Sequence, residues 1–320
     1  MEAQIQTETG ESPEAVFAAL GHETRLAILY ELWKARDPEE HIPKQALSFA
    51  ELRKRIGMRD GSQFNYHLKK LLGEFVHQTD DGYVLRQAGE KILSTVLAGT
   101  MGSNIILDGE PIDEPCPLCG GPVVLECGTE RTLDFFTVRC TACEGAVYPG
   151  EGMKGTLSTS EFLPPTGVKN RSISEAYQAQ RTWVKHKMLS MMEGVCPQCS
   201  GTVSVTPKVC ENHEPSDGRV CPECNTIFRV WFLRVCDVCH LNHEVPSEMH
   251  MLAHPTAAAF YYEHGYGWDH DWHTIGTETV EEQQVVSTDP FELQTSAVAD
   301  GEALDVTLDG DGQVVEVERG

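Results

Sequence analysis

No stretch of eighteen consecutive apolar residues occurs in this 320-residue chain, which excludes a bilayer-spanning helix. The opening MEAQIQTETGESPE has neither the basic region nor the apolar run of a secretory signal. A soluble, cytoplasmic protein with no membrane partner is expected. Basic residues are also scarce, with 25 Lys and Arg against 49 Asp and Glu and a net charge of −24. The deficit is steepest from 244 to 320, where Arg319 alone faces 17 acids. Such a balance excludes general affinity for nucleic acid. One exception is local: between Arg53 and Lys70 six basic residues stand against a single acid, Asp60.

Cysteine, by contrast, is abundant. Ten of the twelve cysteines form five C-x-x-C doublets, and with no signal peptide this favours metal ligation over disulfides. Cys116, Cys119, Cys140 and Cys143 flank an alternating pair of segments, Val123–Glu126 and Leu133–Arg139, and suit a closed tetrahedral Zn²⁺ site of structural type. Cys196-Pro197-Gln198-Cys199 and Cys236-Asp237-Val238-Cys239 repeat those two knuckles, and Phe228–Val235 repeats the strand before the second, which indicates an internal duplication. Between them lies an insert carrying Cys210, His213, Cys221 and Cys224. Nested pairing gives two sets, Cys196/Cys199/Cys236/Cys239 and Cys210/His213/Cys221/Cys224, for up to three structural zinc ions per chain. A crossed pairing of Cys196/Cys199/Cys221/Cys224 and Cys210/His213/Cys236/Cys239 has the same ligand count, but the first module is a template that favours nesting; His213 can also be read as a loop histidine. Cys127 is left over, as a half-buried thiol or a redox sensor.

The first hundred residues read as helices with a hairpin. Ser12 and Pro13 start one helix, a second runs from about Glu23, and Phe49–Ile56 makes a third that Gly57 ends. Gly61–Leu72 is a fourth, with Phe64, Leu68, Leu71 and Leu72 apolar. Its other face presents Ser62, Gln63, Asn65, Tyr66, Lys69 and Lys70, groups that hydrogen-bond base edges or neutralise phosphate. The bland alternative is a solvated amphipathic helix. Phe75–Gln78 and Tyr83–Arg86 form a hairpin, and Ala88–Leu97 a closing helix. That order is a winged helix-turn-helix with Gly61–Leu72 as recognition helix.

The segments FAALGHETRLAILYEL and SQFNYHLKKLLGEFVHQTDDGYVLRQAG resemble the opening, recognition helix and wing of the ArsR-like winged-helix transcriptional regulators. The resemblance covers the first third of the chain. It implies a homodimer paired through the first and last helices of that domain, on double-stranded DNA with a palindromic operator. Metal-sensing members carry cysteines in the third helix or His/Asp in the last, and Phe49–Ile56 and Ala88–Leu97 have neither. The acidic balance and the cysteine-rich second half also resemble ArsR-type regulators of halophilic archaea; in molar salt, with a Debye length of about 3 Å, self-repulsion is tolerable.

The expected fold is α+β and multidomain: a winged helix-turn-helix at 1–103, a zinc ribbon with a helix (Ile173–Met192, with Ala176, Trp183, Met188, Met191 and Met192 on its apolar side) at 104–193, a second ribbon with its insert at 194–245, and an acidic helix and β-meander at 246–320. The expected function is a sequence-specific regulator. Gln63, Asn65, Tyr66 and His67 are candidates for base contacts, and Arg53, Arg55, Arg59, Lys69 and Lys70 for phosphate. A small-molecule or redox effector is unspecified. The alternative is a basal adaptor like transcription factor E, which also joins a winged helix to a zinc ribbon and would bind polymerase. An enzyme is not expected, since closed cysteine sets offer no open coordination position. His250, His254, His264, His270 and His273, with Trp268 and Trp272, are read as packing rather than a further site.

Overall fold

In the computed structural model the described residues are 12–36, 39, 46–101, 105–130, 132–133, 135–147, 150, 153–161, 163–214, 220–267 and 280–320. The chain divides into two compact units, Met1–Ser103 and Asn104–Gly320. Both are built from helices and small antiparallel sheets, an α+β architecture.

Unit one contains α1 (Pro13–Leu20), α2 (Glu23–Lys34), α3 (Phe49–Ile56), α4 (Gly61–Lys69), a hairpin of β1 (Val76–Thr79) and β2 (Gly82–Leu85), and α5 (Gln87–Leu97). Side-chain caps fix the helix starts. Ser12 accepts from the Ala15 amide, Ser48 from Glu51, and the Asp60 carboxylate from Ser62 and Gln63. Ile28, Leu29, Leu32, Leu52, Phe64, Leu68 and Leu71 make one core. Leu47 pairs with Tyr83 alongside β2, and Gly82 permits it, because a Cβ there would lie 2.4 Å from the Leu47 carbonyl oxygen. The fourth helix is shorter than its sequence pattern. It stops at Lys69, and Leu71 and Leu72 fill the core from the turn that follows.

Unit two begins with a sheet of β3 (Leu107–Ile112), β4 (Val123–Cys127), β5 (Phe136–Cys140) and β6 (Thr156–Ser160), in that order. Only the middle pair is evident from sequence. The strand expected from Leu133 starts at Phe136, because Leu133 takes a left-handed turn conformation. After α6 (Pro165–Val168), α7 (Ile173–Met192) opens on a capping box between Ser172 and Glu175. Ala176, Met191 and Met192 are buried as expected. Trp183 is not: it is 46% exposed, with the Lys187 ammonium over its ring.

A three-stranded sheet follows, of β7 (Val203–Val209), β8 (Val230–Cys236) and β9 (Asn242–Pro246). Then come α8 (Ser247–Leu252), α9 (Pro255–Glu263) and the meander of β10 (Val280–Thr288), β11 (Phe291–Ala299), β12 (Glu302–Asp309) and β13 (Val314–Arg319). The meander is continuous with the second cysteine module. Val230, Phe232 and Val245 share one core with Met249, Phe260, Leu293, Leu304, Val306 and Leu308. Alternation along β11 and β12 puts the apolar residues inside and leaves acids such as Glu292, Glu302 and Asp305 outward.

Arg234 ties these parts together. Its buried guanidinium donates to the carbonyls of Met191, at the end of α7, and Asp311, in the β12–β13 turn. Beside it the Nδ1–H of His250 donates to the Gly312 carbonyl at 2.7 Å, and a Cβ at Gly312 would sit 2.5 Å from that imidazole. Burial, with the neighbouring Arg234 charge, brings His250 down to about 3, so it stays neutral. His264 donates separately to the Phe260 carbonyl, and no metal-type cluster among the described residues includes His250, His254 or His264. His270, His273, Trp268 and Trp272 lie outside the described residues.

Glu248 is buried, with Gln283 Nε2 donating to it at 2.9 Å, and burial raises its carboxyl to about 7. Between pH 4.5 and about 7 the folded chain therefore holds a proton that the unfolded chain has released. This contribution is full below that window and is lost as pH rises through it. Glu248→Gln is expected to match the parent in denaturant titration near pH 4 and exceed it at pH 8 by on the order of 3 kcal/mol. His250 has the opposite pH dependence but is common to both proteins, so it cancels in the comparison.

Candidate metal centres and nucleic-acid interface

The strand registers decide how the cysteines group. Val123 pairs with Cys140 in the first module, and Val203 pairs with Cys236 in the second. Each register sets a second knuckle beside the first knuckle of its own module. The far end of the β7–β8 hairpin, where Val209 pairs with Val230, carries the insert away from Cys196 and Cys199. Three four-residue clusters result: Cys116/Cys119/Cys140/Cys143, Cys196/Cys199/Cys236/Cys239 and Cys210/His213/Cys221/Cys224. The pairing is nested.

Within each cluster the potential ligand atoms lie within 4.8 Å of one another. Sγ–Sγ separations are 3.7 Å for Cys116–Cys143, 3.6 Å for Cys119–Cys140, 3.6 Å for Cys196–Cys239 and 3.4 Å for Cys199–Cys236. All exceed the S–S bond of about 2.05 Å. They fit the edge of a tetrahedron around an ion with metal–sulfur bonds of about 2.3 Å, which is about 3.8 Å. In the third cluster Cys210 and Cys221 are 4.0 Å apart, and Cys224 Sγ is 3.4 Å from His213 Nδ1. The other ring nitrogen of His213 lies 3.1 Å from the Ile227 carbonyl. A carbonyl only accepts, so that Nε2 carries the proton and Nδ1 keeps its lone pair for the cluster, as an imidazole ligand requires.

Local backbone geometry makes the knuckles. In Cys116, Cys196, Cys221 and Cys236 the amide donates to the carbonyl five residues on, and the carbonyl accepts from the amide four residues on. This tight turn requires left-handed residues, which are Gly120, Ser200, Asn225 and His240. Gly121 and Gly201 are equally constrained. A Cβ at Gly121 would lie 2.6 Å from that of Ala142, and one at Gly201 2.8 Å from Val238 Cγ2.

The same turns aim amides at sulfur. The Cys239 and Val238 amides, with the other thiols of the cluster, overcome burial and bring Cys236 down to about 6. Cys221 falls to about 7 through the Cys224 amide first, then Glu223. At Cys140 burial works upward, yet the Ala142 and Cys143 amides and the neighbouring thiols bring it to about 7. Each cluster thus holds one sulfur that is readily ionised, the form that ligates metal. Cys127 is different. It is buried at the end of β4, not half-buried, which removes the access that a redox-sensing thiol needs.

In unit one, α4 exposes Ser62, Gln63, Tyr66, Lys69 and Lys70, and Asn65 is half-buried. Lys54, Arg55 and Arg59 are exposed and Arg53 half-buried, with Arg55 paired to Glu51 at 2.8 Å. Asp60, the one acid of this stretch, is occupied at the α4 N-cap. His67 departs from expectation. It is 4% exposed and packs on His22 with ring centroids 4.2 Å apart, and Arg25 Nε donates to its Nδ1, so it cannot reach outward to a base. Its place in the helix repeat, three residues after Phe64, is on the core side.

A family model described as a domain of unknown function, DUF7351, matches residues 113–314, more than half of the chain. The chain belongs to that family. The DUF7351 segment contains all three clusters together with most of the meander. A second model, DUF7347, also described as a domain of unknown function, matches residues 13–96, from α1 to α5. No curated protein and no solved structure matches the chain.

Metal analysis of the purified protein is expected to find three ions per chain. Cys119→Ser and Cys224→Ser are each expected to lower the content by one, independently. Loss of two ions from either substitution would contradict three separate sites.

Proposed function

We propose that this protein is a sequence-specific DNA-binding transcriptional regulator of the ArsR-like type, dimeric, whose DUF7351 half is held by three structural zinc ions. Its first unit is then a winged helix-turn-helix, with α3 and α4 as the helix pair and the β1–β2 hairpin as the wing. The observation that carries the reading is the outer face of α4. A chain with a net charge of −24 places Gln63, Tyr66, Lys69, Lys70 and Arg59 together in the open, with its nearest acid folded back into a cap. Gln63, Asn65 and Tyr66 read bases, while Arg53, Arg55, Arg59, Lys69 and Lys70 hold phosphates.

Zinc suits the clusters because two have four sulfur ligands and the third has three sulfurs and one imidazole, all closed sets. Dimerisation is supported by apolar side chains left exposed on the first and last helices of unit one: Phe17 at 74%, Val96 at 43% and Leu97 at 40%. Phosphate contacts weaken steeply with salt, so in a saline cytoplasm base contacts and DNA shape carry a larger share of the affinity.

Genome-wide occupancy in the salt of the host tests the DNA reading. The parent protein is expected at a few sharp sites, and Gln63→Ala/Lys69→Ala is expected to lose them. Broad, promoter-tracking occupancy unaffected by the substitutions would instead favour a polymerase-bound adaptor. For the dimer, Phe17→Asp/Leu97→Asp is expected to halve the mass measured by sedimentation equilibrium. An unchanged dimer mass would place the interface elsewhere.

A further inference from the structure

Unit two contains a cavity of about 480 Å³ where its two cysteine modules meet. The junction is made by the insert of the second module. Thr226 pairs as a β-bridge with Val147 of the first, and the Ile227 amide donates to the Ala146 carbonyl. Val138 and Leu157 of the first sheet, Val184 and Met188 of α7, and Phe228 and Trp231 of the second module line the space. The volume lies in the range of small-molecule sites, which combine apolar walls with a few polar groups.

Two wall residues carry such groups. Gln180 is 2% exposed, and its Nε2 donates to Ser160 Oγ and the Glu161 carbonyl. Its Oε1 has no hydrogen-bond partner among the described residues, and neither has Nε2 of His243. Burial lowers the pKa of His243, so the ring is neutral and offers a single N–H or lone pair. Buried polar atoms left unpaired are costly, and a ligand that supplies their partners recovers that cost.

The cations of the wall, and Glu161, are already engaged. Arg181 pairs with Glu114 and lies over the Tyr177 ring, Glu161 pairs with Lys187, Lys185 has a partner within the protein, and Glu244 faces solvent. An anionic ligand would have to displace one of these pairs, whereas an uncharged one displaces none.

We propose that this cavity is a binding site for an uncharged, largely apolar organic molecule, held by apolar contact and hydrogen-bonded through Gln180 and His243. The site is independent of the DNA-binding reading, and its test does not involve DNA. Cys224 belongs both to the cavity wall and to the third cluster.

The test is a fluorescence titration of the full chain with N-phenyl-1-naphthylamine, an uncharged aromatic amine. One saturable site per chain is expected. Val184→Trp, from the helix wall, and Ser158→Trp, from the sheet wall, are each expected to weaken it at least ten-fold while circular dichroism stays unchanged. Met101→Ser, which removes an exposed apolar group in unit one, is expected to leave the affinity as it was. No saturable binding, or equal affinity in whichever wall variant remains folded, would overturn the proposal. Tighter binding of the anionic analogue 8-anilino-1-naphthalenesulfonate would overturn the assignment of an uncharged ligand.

Discussion

Crowding of sulfur is the constraint on which the second unit depends. Sulfur atoms stand 3.4–3.7 Å apart, so one thiol of a cluster ionises readily while its neighbour is pushed up, as Cys199 is to about 12 beside Cys236. Each hairpin register brings its two knuckles into that proximity. A divalent ion at the centre would turn that crowding into four bonds, and would give small modules with little core of their own a fixed geometry. The knuckle turns contribute as well, because their amides point at sulfur and favour the ionised form before any ligand bond is made.

The remaining stability of that unit comes from a shared core rather than from separate modules. The meander closes over the three-stranded sheet of the second module, and Arg234 holds the end of α7 and the β12–β13 turn by carbonyl hydrogen bonds. A buried guanidinium without these acceptors would be strongly unfavourable. The interaction therefore fixes where the meander ends relative to the helix. The acids of the meander remain outward, where solvent and salt screen them.

Unit one solves the opposite charge problem. A group of its exposed cations, Lys54, Arg55, Arg59 and Lys69, lies on α3 and α4 and in the turn between them, while the nearby carboxylates are committed elsewhere: Asp60 to a helix cap and Glu51 to Arg55. A positive stripe survives in an acidic protein because local hydrogen bonds absorb its acids. His67 shows the same economy of position, since a polar residue on the core side of α4 is satisfied by Arg25 and is not available to a ligand.

Much of this was legible in the linear pattern. The C-x-x-C doublets, their duplication, the helix caps at Ser12 and Ser172 and the alternation of the meander all depend on residues close in sequence. Such features are set by local sterics, hydrogen bonding and periodicity. Edge strands β3, β6 and β9 were not legible, because each is short and lacks a strong apolar alternation of its own. Tertiary structure alone decided the nested grouping of the cysteines, through the Val203–Cys236 register. It also placed His67 inward and Trp183 outward, and it opened the cavity between the modules. Sequence by itself determined which chemical groups are present and how their neighbours turn; which groups meet across space depended on strand register and shared burial, and neither is written in any one segment.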